Sequence, residues 1–227
     1  MTRFISRELT LQENWRAIIL YGENVTSYKF ALAKTLLEIH PDDGQLIKLE
    51  ELSPIFSKHL CTHLKNNSKQ GTSPTSKYFD LCRKYNFDKD GGVTKEELYD
   101  ATTKNAFGDV IERFHNVNGR AIDSAFYIDE VKLNKGIKVT SEFSKLKESE
   151  QFINLDFETE ARWSLVETAW NLGISKNLLH VDIDDKLENL IVRNDKVRRV
   201  SVTSSRDALN GYQKGYCFYC KERMIDL

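Results

Sequence analysis

Cys217 and Cys220 stand three positions apart in the run Tyr212–Leu227, YQKGYCFYCKERMIDL, with aromatic residues inside and beside the pair. Two thiolates at this spacing can hold one tetrahedral zinc ion from a tight turn, and they supply half of a four-ligand site. A second pattern places His59 and His63 four residues apart, the separation at which two imidazoles can reach one metal from a single helical face. No carboxylate or third histidine accompanies them as in H-E-x-x-H, and Leu60 lies between them. Partly buried histidines packed within a helix are therefore the favoured reading. A third pattern, Asn86–Glu97 (NFDKDGGVTKEE), fits the register of a calcium-binding EF-hand loop. Asn86, Asp88, Asp90 and Thr94 fall where oxygen ligands are needed, Gly91 where the loop turns sharply, and Glu97 at the closing position. Against calcium, Asn86 brings no charge, the loop is single where such loops work in pairs, and Thr94–Glu97 is itself a capping box that opens the next helix. A plain helix–turn–helix connection is the favoured reading, with calcium binding as the alternative.

The surroundings of the cysteine pair are more specific than the pair alone. The run ALNGYQKGYCFYCKERM resembles the start of the nuclease module of HNH endonucleases. Upstream, NWRAIILYGENVTSYKFALAKTLLEI and ARWSLVETAW resemble the amino-terminal region that precedes this module in bacterial HNH proteins of restriction or phage-defence type. In that family the first Cys pair is followed by a strand bearing Asp-His, a central Asn, and a second Cys pair that closes a structural zinc site. The resemblance implies phosphodiester hydrolysis of DNA, with a histidine as general base on water and one divalent metal stabilising the leaving oxygen. Only Cys217 and Cys220 carry over to this chain, as half of the zinc site. None of the five histidines (His40, His59, His63, His115, His180) follows the pair. The base and the catalytic metal are accordingly expected on polypeptide beyond Leu227, with no catalytic residue in 1–227.

Charge is distributed in keeping with a DNA partner. The 227-residue chain has a net charge of −1, yet Arg193–Arg223 alone carries +5. Arg193, Lys196, Arg198, Arg199, Arg206 and Lys214 lead into the cysteine pair and are the expected phosphate contacts, with a solvated basic surface as the competing reading. Two other uses of the chain stay open: a calcium-responsive binding protein, and a helical interaction protein whose C-x-x-C joins that of a second copy in a four-Cys zinc site at a homodimer seam. Hydrophobic residues make up 40% and charged residues 30%, a globular balance, and three prolines with eleven glycines leave little material for long linkers. No apolar run approaches the ~20 residues that cross a bilayer, and the amino terminus lacks a secretory core, so a cytoplasmic protein without membrane contact is expected. Cys61 and Cys82, on helix-like segments with apolar neighbours, read as buried free thiols.

The elements that position these groups are predicted to be mainly helical (α+β). Residues 1–200 form a helical body with a few short strands and a loop or sub-boundary at 65–76. Residues 201–227 form a basic helix and the C-x-x-C, the beginning of a zinc-supported ββα-metal module. Asn14 caps a helix to Tyr21 closed by Gly22, and Ser27 opens YKFALAKTLLEI with Phe30, Ala33, Leu36 and Leu37 on one face. Lys29 and Lys34 of that segment read as solvated outer-face lysines, with DNA contact as the alternative. Helices are expected over 49–64, before and after 86–97, over 107–117 and over 157–172. His115 should be protonated near its helix end, and Trp163, Val166, Ala169 and Trp170 should form a packing seam. A strand is expected in 124–133, a short extended stretch turning into a helix at Thr140 or Ser141, and a hairpin near 184–186. Ser204 or Ser205 opens the helix that delivers the cysteines.

Overall fold

The computed structural model describes residues 10–73, 76–87 and 92–173 in full, and the backbone of 181–184, 189–194 and 197–201. The fold is mainly α with a few short antiparallel strands. Helix α1 (Leu11–Tyr21) opens one turn earlier than expected. Thr10 Oγ1 accepts from the Glu13 N–H, and Glu13 returns a carboxylate oxygen to the Thr10 N–H at 2.8 Å, a complete capping box. Asn14 lies inside the helix and is buried. Two orphan N–H groups satisfied by Thr10-x-x-Glu13 outcompete the single bond that Asn14 could offer.

Helix α2 (Tyr28–Ile39) is buried along Lys29–Leu37, not merely on the face bearing Phe30, Ala33, Leu36 and Leu37. It packs against α3 (Leu49–Asn66) on one side and α9 (Phe152–Leu172) on another, which leaves it almost no outer surface. Lys29 and Lys34 are consequently interior residues, 5% and 7% exposed, which corrects the expectation of solvated lysines. Helices α4 (Lys77–Phe87) and α5 (Lys95–Asn105) cover the other flank of α3. Between α2 and α3, β1 (Leu46–Lys48) pairs antiparallel with β5 (Gly136–Val139), which also pairs with β4 (Tyr127–Asp129).

The segment 107–117 is divided. Helix α6 (Gly108–Arg113) stops early, and the chain enters a hairpin of β2 (Asn116–Val117) and β3 (Arg120–Ala121). Asn118 and Gly119, both at positive φ (50° and 77°), form its turn. Asn-Gly is the dipeptide that matches such a turn to strand twist, and here it overrides the helical pattern. After β4 comes not further strand but α7 (Val131–Asn134), started by Asp129 Oδ1 accepting from the Val131 N–H. The extended stretch and helix expected at Thr140 are present as β5 and α8 (Ser141–Lys147), with Thr140 at the N-cap. The hairpin near 184–186 is present too: β6 (Val181–Asp184), β7 (Asn189–Asn194) and β8 (Val197–Ser201) form an antiparallel meander.

The apolar core is rich in aromatic rings, which bury large areas and favour edge-to-face contact. Trp15 meets Phe114 and Phe126 at centroid distances of 5.7 and 5.2 Å, and Tyr28 lies among Phe56, Tyr78 and Phe79. Trp163, Val166, Ala169 and Trp170 are buried as a seam, as their spacing predicts. Cys61 and Cys82 are buried free thiols. Among the described residues, no helix is long and apolar enough to cross a membrane.

Candidate functional site

Three helices each contribute a polar pair or ladder at helical spacing, and packing brings them together. On α2 these are Lys34 and Glu38, on α3 His59 and His63, and on α9 Asp156, Glu160 and Glu167 with Trp163 among them. Spacings of three and four put each set on one face of its helix. The Lys34 ammonium lies 3.1 Å from Asp156 and 2.9 Å from Glu160. Glu160 also reaches His63 Nε2 at 3.0 Å, and Glu167 meets His63 Nδ1 at 2.7 Å. The imidazole lies flat on Trp163, with centroids 3.5 Å apart and planes within 3°. Gln70 completes the ring of contacts: its Nε2 donates to Glu167, and its Oε1 accepts from Trp163 Nε1 at 3.0 Å.

Charge states follow from these partners. Burial alone would lower the His63 pKa, but hydrogen bonds to Glu160 and Glu167, and their charges, outweigh it and raise the value above the ordinary range. Burial would raise Glu160, whereas His63 and Lys34 hold it down at about 2. His59, one turn earlier on α3, goes the other way: burial and the positive charge of Lys34 lower its pKa. Its Nε2 is 2.9 Å from Glu38, but lies off the hydrogen-bonding direction, so this is a close approach rather than an aligned bond. A groove of about 510 Å³ opens beside the cluster, lined in part by Lys34, Glu38, His59, Phe152, Ile153 and Asp156. Its size and its mixture of apolar wall and converging charges are those of a small-molecule or side-chain pocket.

His59 and His63 thus turn to different carboxylates and do not share a metal site, in line with their reading as partly buried helix residues. Among the described residues, no group of three or more His, Cys, Asp or Glu is arranged to hold a metal ion. His115 is also unlike its expected role. Its Nε2 accepts from the Phe126 N–H at 2.9 Å, which requires an unprotonated nitrogen, and burial together with the charge of Lys29 lowers its pKa to about 4. A neutral acceptor for the backbone N–H just before β4 replaces the protonated helix-end imidazole.

The calcium-loop candidates are only partly described. Asn86 lies in the last turn of α4, with Nδ2 donating to the Cys61 carbonyl at 2.7 Å and Oδ1 buried with no hydrogen-bond partner among the described residues. Thr94 and Glu97 form the expected capping box of α5. Asp88 and Asp90 lie outside the described residues. Of the basic candidates, Arg193 falls on β7, and Arg198 and Arg199 on β8. Lys196, Arg206 and Lys214, the helix expected after Ser204, and both Cys217 and Cys220 lie outside the described residues.

Sequence reading does not find the pairing of His63 with Glu167 or the three-helix assembly. The available signal was the repeated i, i+4 polar pairing on segments that are otherwise strongly apolar: Lys34 with Glu38, His59 with His63, Asp156 with Glu160. Comparison with known proteins found no matching family model, no matching curated protein and no matching solved structure.

Proposed function

We propose that this chain is the amino-terminal, DNA-engaging portion of an HNH-type endonuclease of bacterial restriction or phage-defence kind. The observation that carries this reading is the sequence ALNGYQKGYCFYCKERM, in which Cys217 and Cys220 have the spacing and aromatic surroundings of a first zinc pair. The basic residues upstream support it: Arg193, Arg198 and Arg199 fall on adjacent strands of one antiparallel meander, from which the chain continues through Arg206 and Lys214 to the cysteines. Lysine and arginine so concentrated favour phosphate contact, which positions a duplex without reading its sequence. In this reading the helical body is a rigid platform. Cys217 and Cys220 hold a structural zinc whose other two ligands come from residues after Leu227 or from a second copy. The divalent metal of the complete enzyme would stabilise charge on the scissile phosphate.

Two measurements test this. The reading frame past codon 227 should encode an Asp-His and a second C-x-x-C; a frame with neither removes the nuclease assignment. Gel shifts of the chain with duplex DNA should weaken steeply as salt rises, and Arg198→Ala with Arg199→Ala should flatten that dependence. Half a zinc ion per chain together with a dimer mass would instead assign the cysteines to a seam between copies.

A second reading, calcium binding at Asn86–Glu97, is supported by the orphaned Asn86 Oδ1 beside the start of the acidic loop. Buried carbonyl oxygens are rarely left without a partner. Calorimetry with Ca²⁺ should give heat that Glu97→Gln abolishes, and no heat with the unaltered chain ends this reading.

A further inference from the structure

A neutral imidazole has one N–H and one lone pair. His63 has a carboxylate oxygen at both nitrogens, Glu167 at 2.7 Å and Glu160 at 3.0 Å, so only the doubly protonated ring satisfies both. The two acids are not equivalent. The Glu167 side chain is 8% exposed and is held by Gln70, whereas that of Glu160 is 42% exposed and is shared with Lys34. Loss of one proton therefore leaves Nδ1–H on Glu167 and turns the Nε2 lone pair toward Glu160. Two acceptors 3.0 Å apart repel, and Glu160 is the one that can move to solvent.

We propose that His63 is a proton-gated latch: protonated, it draws Glu160 inward and ties the middle of α9 to α3; deprotonated, it expels Glu160 and rearranges the Glu160–Lys34–Asp156 chain at the wall of the groove. The charged neighbours among the described residues each have a place in this scheme. From α9, Glu160 and Glu167 face the ring, and Asp156 stands behind Glu160. From α2, Lys34 links the two exposed acids, and Glu38 faces His59. From the link after α3, Gln70 fixes Glu167, while Lys69 is engaged with the Trp170 carbonyl. Trp163 stacks on the ring and favours its charged form. Loss of the proton makes the site one unit more negative and frees Lys34 to pair with Asp156 alone. The groove that shares Lys34 and Asp156 with the latch thereby changes its charge with pH.

Nuclear magnetic resonance titration of the His63 ring in the full chain tests this directly. The expected midpoint lies above the ordinary histidine value of about 6.5, and the Trp163 indole resonance should move with the same midpoint. Glu160→Gln supplies an amide N–H that a neutral ring can accept. It should lower the midpoint by about one pH unit or more, roughly a tenfold change in proton affinity, while the fold is kept. A midpoint at or below 6.5 in the unaltered chain overturns the latch without any variant. So does a Glu160→Gln midpoint equal to that of the unaltered chain.

Discussion

Two lysines on one helix mark two regions of this protein that treat a neighbouring histidine in opposite ways. Around Lys34, burial is answered by carboxylates: Asp156, Glu160 and Glu167 surround the ammonium and the His63 ring, and the histidine is held charged. Around Lys29, five residues earlier on α2, the ammonium donates to the Asn116 carbonyl, and His115 is held neutral as an acceptor for the Phe126 N–H. Burial opposes charge on both rings. What differs is whether oxygen anions or peptide groups are supplied as partners, and this decides the sign of the result.

The contrast has consequences for stability against pH. His63, with a folded pKa above the unfolded value, contributes stability that is complete below about pH 6.5 and is lost as pH rises through its folded pKa. His115, with a folded pKa near 4, contributes stability that is complete above about pH 6.5 and is lost as pH falls toward 4. The two limbs oppose each other and produce a maximum near neutrality. Glu160, held at about 2, adds a later acid step, present above its ordinary range and lost as pH falls toward 2.

The largest expected effect comes from breaking the charged region. Glu167→Ala removes one anion from the edge of a buried imidazolium and leaves Gln70 Nε2 with the Asn67 carbonyl as its acceptor. Removing one partner of a buried pair costs about 3–5 kcal/mol, and denaturant unfolding should show a loss of that size. A loss under 1 kcal/mol would mean that water enters the site and that the two regions differ less than their geometry indicates. The next effect belongs to the neutral region. Between pH 6.5 and 4 the chain should lose roughly 2–3 kcal/mol through His115. His115→Leu, which cannot titrate, should remove this limb at the cost of the Phe126 hydrogen bond, about 1 kcal/mol. An acid limb that persists in His115→Leu would assign it to the carboxylates instead.

How much of this was readable in advance depended on the range of the deciding interaction. Local chemistry was legible: the capping box Thr94–Glu97, the helix Tyr28–Ile39, the buried thiols, and the Trp163–Trp170 seam are all fixed by residues within a turn or two. Two local signals, Thr10-x-x-Glu13 and Asn118-Gly119, each move an element boundary away from its expected place. Thr10→Ala should cost about 1 kcal/mol, whereas Asn14→Ser, which keeps a capping side chain at the position first read as the cap, should not reproduce that loss. The candidate site was not legible as an assembly. Whether α2 lies on the surface or between α3 and α9 is a tertiary fact, and the same lysines are solvent-facing in the first case and the centre of an ion network in the second. The cysteine pair and half of the basic candidates lie outside the described residues, so the nuclease reading rests on sequence.

The smallest expected effect isolates the lysine from the burial it shares with its histidine. Burial is the larger cause of the depressed His115 pKa and the Lys29 charge the smaller. Lys29→Met keeps an unbranched side chain of similar length in the interior while removing the positive charge and the bond to Asn116. The His115 midpoint should then rise by about half a pH unit, the order expected for one charge at several ångströms in a partly screened site, and remain well below the ordinary histidine value. A full return to that value would make Lys29, not burial, the cause of neutrality, and the two regions would then differ in lysine placement rather than in the partners offered to each ring. No movement at all would show that the Lys29 charge does not reach the ring and that burial alone keeps His115 neutral.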